Sequence, residues 1–193
     1  MKSSWKNTQP GEEKYFVLGV ENIDQNAYSA INGCEAASLL AALHFVGKAR
    51  EFDYPAFLDT MPIDPDGNPY KGFGGSPFKN TPGKLEAIFI DPLVRWGSLF
   101  GSLTALPGAE LNDLLKIVKF GWPLLTYVSI GFAPFGEEDF SFGHELTNNH
   151  AVVLDGYSES YVHLSDPIDG QYWLLKSRFK ERYDVRKWAV KIA

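Results

Sequence analysis

The chain has 193 residues, 45% of them apolar and 15% aromatic, which suits one domain with a sizeable core and excludes an intrinsically disordered chain. With 18 basic against 24 acidic residues the net charge is −6, which argues against nucleic acid as a partner, since phosphate binding draws on a surplus of Lys and Arg. The single cysteine, Cys34, excludes an intramolecular disulfide and a Cys-rich zinc site. The longest apolar stretch, Ala36–Gly47, is interrupted by His44 and falls well short of the about 20 residues that a membrane span needs.

In chain order, residues 1–13 are polar and read as a loose N-terminal segment, with 14–193 as one domain. No apolar signal core follows Met1–Lys6, so the expected compartment is the cytoplasm if the chain is complete as written, and the cell surface or exterior if a leader precedes it. Tyr15–Val20 reads as a short strand. Asn32–Gly47 is the strongest helix: Asn32 stands at the N-cap and Glu35 at N3 in a capping-box arrangement, Leu39, Leu40, Leu43 and Val46 form the apolar face, and Gly47 is the stop. Residues 59–83 are dense in Pro, Gly and Asp and read as a long loop of the kind that often serves function; its length and composition leave open whether it covers the groove as a lid. Lys84–Trp96 starts as a helix that Pro92 kinks or ends. Glu110–Phe120 is a second good helix. Pro123–Ile130, His150–Leu154, Ser160–Ser165, Gln171–Leu175 and Arg186–Ile192 read as strands. Helices first and strands after predict an α+β fold with antiparallel sheet. Lys176–Lys187 carries a net +4 of the chain's −6, leaving −10 elsewhere; it is either a solvated helix face or a docking patch for an acidic partner.

Cys34 is the first chemical candidate. At the start of a helix the partial positive charge and the free N–H groups stabilise a thiolate, although a lone cysteine is also a common small buried apolar residue. A nucleophile needs a base, and His44, ten residues along the same helix, is about 15 Å of rise away. His150 opens an apolar strand, where a histidine is either structural or a base. A hairpin centred on Ser158 would pair Leu154 with Val162, Val152 with Leu164 and His150 with Asp166, putting a carboxylate beside the imidazole. A slip of two residues would leave the pair diagonal and within reach, whereas a slip of one would separate them. The Cys34 N–H and the Gln25 side-chain amide are candidate oxyanion donors. Gly72–Pro77 lacks the Lys-Ser/Thr of a phosphate loop, Asp64–Asn68 reads as a turn rather than a calcium loop, and the histidines lack zinc spacing.

Taken together these residues resemble a known family. Gln25, Asn32-Gly33-Cys34-Glu35 and Ser38-Leu39 look like the start of papain-like peptidases related to the bacteriocin-processing (double-glycine leader) peptidases, in their stand-alone bacterial branch. Asp66–Pro69 and Gly72–Pro77 resemble that branch's long loop, and Gly121-Trp122-Pro123-Leu124 its helix-to-strand junction. His150–Tyr157 and Asp166–Gly170 resemble its histidine and aspartate motifs. The resemblance covers roughly residues 15–192. It implies a papain-like α+β fold, a catalytic Cys34–His150–Asp166 triad, Gln25 in the oxyanion hole, no cofactor or metal, and a peptide or protein substrate cut at a small-residue or Gly-Gly site. The same triad also suits an acyltransferase or amidase, and a non-catalytic peptide-binding relic is the third reading.

Overall fold

Strand β6 organises the molecule. In the computed structural model, which describes residues 9–193, it runs from Asn149 to Tyr157 and is buried over most of its length. Before it come β1 (Phe16–Val17), α1 (Cys34–Phe45), α2 (Tyr54–Leu58), α3 (Ile90–Gly97), β2 (Leu103–Ala105), α4 (Leu111–Lys119), β3 (Leu124–Ser129), β4 (Gly136–Phe140) and β5 (Gly143–Thr147). After it come β7 (Tyr161–Asp166), β8 (Gly170–Leu175), α5 (Lys176–Arg186) and β9 (Ala189–Ile192). The main sheet is antiparallel in the order β2-β9-β3-β6-β7-β8, with β1 added beside β6, and β4–β5 form a separate hairpin. The fold is α+β.

Alternation along the central strands divides the core in two. Leu125, Tyr127, Ala151 and Val153 face α1, α2 and α3. Leu124, Val128, Val152 and Leu154 pack with Leu114 and Val118 of α4 and Phe179 and Tyr183 of α5. Helices on both faces explain why β3 is buried at every position and why its sequence is apolar without a polar side.

The helix starts differ from the sequence expectation. Gly33, not Asn32, is the N-cap of α1, and it makes no side-chain cap. The Asn32 side chain instead donates to Ser76 O and meets Asn80 Oδ1, while Glu35 bonds Cys34 and Ile88. Tertiary partners took both halves of the expected capping box. Pro92 lies in the first turn of α3, two residues after Ile90. A first-turn residue has no intrahelical use for its N–H, so this proline sits at the beginning of a helix rather than at its end. A hydrogen-bonded hairpin over 136–147, the short β2 and the short α2 complete the elements that local pattern did not define, and the basic run read as a helix face is the helix α5.

The β6–β7 register also differs. Leu154 pairs with Leu164 and Val153 with Ser165, and a bulge at Asp155 shifts the pairing before Gly156–His163. Relative to a hairpin centred on Ser158 this is a slip of two residues beyond the bulge, so His150 and Asp166 stand diagonally. The bulge has its own partners: the buried Asp155 carboxylate bonds His163 Nδ1 at 2.6 Å and accepts from Val20 N–H at 2.9 Å.

The segment 59–89 has little regular structure but is firmly tied. Asn32 N–H donates to Pro77 O, and Ile88 N–H to Glu35 Oε1, so it is fixed to the chain on both sides of Cys34. Asp64 closes a turn by accepting from Asn68 N–H, with Gly67 at φ 77°. No cluster of three metal-ligating side chains occurs among the described residues, and no helix there is long and apolar enough to cross a membrane. Of the expected loose segment, residues 1–8 lie outside the described residues; Glu13 accepts bonds from Ser158 Oγ and Ser160 N–H. The basic run forms α5, where Lys180 pairs with Asp184, Lys187 with Glu110 and Arg186 with Glu145.

Candidate active site

Cys34 is the first residue of α1, where its N–H has no carbonyl partner within the helix. The cap is held from outside by Tyr54 Oη, which donates to Gly33 O at 2.9 Å. Gly33 is required there, because a Cβ would run into that hydroxyl. The thiol donates to Glu35 Oε2 at 3.1 Å. Ser38 of the same helix ties α1 to β6, donating from Oγ to Ala151 O at 3.0 Å. The β6–β7 ladder ends at Val153–Ser165, which leaves the edge groups of Ala151 for the helix.

One residue before Ala151, His150 donates from Nε2 to Asp166 Oδ1 at 2.8 Å, with both side chains 1% exposed. That bond assigns the Nε2–H tautomer, and Nδ1 is buried without a hydrogen-bond partner. Asp166 is fully engaged. Oδ1 also accepts from Ile168 N–H at 2.8 Å and Asp169 N–H at 3.3 Å, and Oδ2 accepts from Tyr172 Oη at 2.7 Å. Asn22 Nδ2 donates to the Asp166 carbonyl at 2.7 Å and fixes the backbone as Pro167 ends the strand.

The electrostatics follow from these contacts. Burial opposes the Asp166 charge, but His150 and the donated hydrogen bonds outweigh it and hold the carboxyl at about 2. Burial lowers the His150 pKa, and the Asp166 carboxylate more than offsets this, so the imidazole is raised overall. Burial, then the neighbouring Glu35 carboxylate, push the Cys34 thiol well above its usual range.

Gln25 is buried in a 3-10 turn, Gln25–Tyr28, whose backbone N–H bonds Pro167 O. Its Nε2 donates to Ala30 O at 3.0 Å and Ile31 O at 2.8 Å, and its Oε1 has no partner. Both amide hydrogens are thus held by the turn in this conformation. The other histidines stand apart: His44 bonds Ala49 O, His144 bonds Asp139 and Glu137 on the exposed hairpin, and His163 pairs with Asp155. Three residues of the centre had no individual signal in the sequence. Tyr172 and Asn22 belong to ordinary strand and loop contexts, and Glu35 reads locally as a cap.

A cysteine at a helix start beside two neighbouring strands that carry a buried His–Asp pair is the layout of a cysteine-peptidase-like fold. The structure is similar to that of a candidate C39-like peptidase from Bacillus anthracis, with a TM-score of 0.81 over 94% of this chain and 98% of that one, at 22% identity. The sequence pattern of the Peptidase_C39 like family matches residues 17–189, and the chain belongs to that family. A curated relative, the uncharacterised YvpB of Bacillus subtilis strain 168, is 24% identical over 148 residues, covering 70% of this chain. The match spans 58% of the length of YvpB.

Proposed function

We propose that this chain is a cysteine peptidase that hydrolyses peptide bonds through Cys34, His150 and Asp166. The observation that carries the reading is the buried His150–Asp166 bond, which leaves Nδ1 without a hydrogen-bond partner on the residue next to Ala151, whose carbonyl accepts from Ser38 of the helix that Cys34 begins. Asp166 fixes the tautomer and stabilises the imidazolium. His150 takes the thiol proton, and sulfur attacks the substrate carbonyl. The Cys34 N–H stabilises the oxyanion, and Gln25 joins it when one amide hydrogen exchanges a turn carbonyl for the substrate oxygen. The tetrahedral adduct collapses as the C–N bond breaks and the amine leaves with the proton from His150. Water, deprotonated by His150, then attacks the thioester and returns the acid product and the thiol.

The substrate we infer is a peptide cut after a small residue, with Gly-Gly the first junction to test. The test incubates wild type and the Cys34→Ala and His150→Ala variants with peptides bearing Gly-Gly, Ala-Ala and bulkier junctions, read by mass spectrometry. The expected result is cleavage by wild type only, with an acyl adduct on Cys34 under rapid acid quench. Equal cleavage by Cys34→Ala overturns the assignment, as does failure of folded wild type on every junction.

A further inference from the structure

The catalytic centre contains a carboxylate that the triad does not use. Glu35 is 1% exposed. It accepts from the Cys34 thiol, at 3.1 Å on Oε2, and from the Ile88 N–H, at 3.3 Å on Oε1. Groups from every neighbouring element face this pair. His150 of β6 acts on Glu35, Asp166 of β7 on Cys34, and Asp169 on His150. Tyr54 of α2 and Tyr127 of β3 feel both Cys34 and Glu35, and Tyr127 also feels Arg186 and Asp91. Protonated His150 is a cation that acts directly on Glu35.

Resting on the peptidase reading, we propose that Glu35 is a positioning residue that holds the Cys34 proton in the resting enzyme, so that the two side chains share a single negative charge and the thiolate forms only when Glu35 is protonated or turned away. Two anions one hydrogen bond apart in a buried site repel strongly, so sulfur and carboxylate titrate as a coupled pair. Burial raises Glu35, and the thiol hydrogen bond partly lowers it again. The Ile88 contact gives the arrangement a handle. Ile88 lies at the end of the 59–89 segment, with its carbonyl held by Tyr127 Oη at 2.8 Å, so movement of this segment by substrate would draw one anchor from Glu35.

The test is the rate of Cys34 alkylation by iodoacetamide against pH in wild type, Glu35→Gln, Glu35→Asp and His150→Ala, read by intact mass. Glu35→Gln keeps an oxygen for the Ile88 N–H and loses the charge. The expected result is a profile shifted to lower pH by one unit or more, equivalent to at least tenfold faster alkylation on the rising limb, with Glu35→Asp restoring the wild-type profile. A folded Glu35→Gln with an unchanged profile overturns the proposal. A flat response to His150→Ala would instead count against the triad, which separates the two failures. If Glu35→Gln does not fold, the Glu35 carboxyl is titrated by carbon-13 NMR in wild type and Cys34→Ala. Loss of the thiol donor should raise its midpoint, and an identical midpoint overturns the coupling.

Discussion

His150 Nε2 and Asp166 Oδ1 are 2.8 Å apart in a pair that water does not reach. A carboxylate this well satisfied fixes the ring and leaves one nitrogen free. Asp166→Asn is therefore expected to leave the fold recognisable while lowering kcat by about 10⁴, the scale of the same replacement in serine-protease triads. It is also expected to destabilise the protein by about 3–5 kcal/mol, because one partner of a buried pair is lost. Steady-state kinetics and urea unfolding on one preparation check both.

The same pair sets a pH dependence of stability. The Asp166 pKa falls from 3.8 in the reference state to about 2 in the fold. Its contribution is therefore present above pH about 4 and lost as pH falls through about 2. The His150 pKa is raised, so its contribution is complete below about 6.5 and lost as pH rises through the folded value. Tyr172→Phe removes the bond to Oδ2. Its acid-unfolding midpoint should move to higher pH, and a denaturant-free pH titration followed by circular dichroism reads the shift.

Gln25 tests the oxyanion assignment. Gln25→Glu cannot donate a side-chain hydrogen bond when ionised, and it sets an acceptor against Ala30 O and Ile31 O. The expected loss in kcat is about 10²–10³, with alkylation of Cys34 little changed. Loss of alkylation together with turnover would mean that Gln25 chiefly builds the turn before α1.

Arg186 lies against both the Phe89 and Trp188 rings, at 4.8 Å and 4.7 Å from their centroids, and pairs with Glu145 at 2.9 Å. Both side chains of the ion pair are under 10% exposed. Glu145 in turn accepts from Tyr70 Oη, so this cluster joins β5, α5 and the 59–89 segment. Arg186→Ala should cost about 3–5 kcal/mol by stranding Glu145. Arg186→Lys should cost less, and faster amide exchange over 136–147 would locate the effect.

Gly33→Ala should drive Tyr54 Oη from the cap and cost about 1–3 kcal/mol. A double-mutant cycle with Tyr54→Phe checks the cause, because removing the hydroxyl that a Cβ would meet should recover part of that loss. Full additivity would place the strain elsewhere.

By itself the sequence determined the α+β order, the start of a helix near Cys34, the His150 strand and the stop after Asp166. Each rests on a local rule: apolar spacing, strand alternation, or a proline that ends a strand. Which polar groups meet was decided by the tertiary structure. The turn between β6 and β7 sets the pairing three residues off an opposed His150–Asp166 pair, and the bulge at Asp155, stabilised by His163 and Val20, takes one back and leaves the pair diagonal. Asn32 and Glu35 left a plausible capping box for Ser76 and for Cys34 and Ile88. The hairpin over 136–147 is mostly exposed, so it lacks the apolar alternation that marks a strand. Local pattern reports which side of an element is apolar. Hydrogen-bond partners more than a hundred residues apart depend on how sheet register and helix packing bring them together.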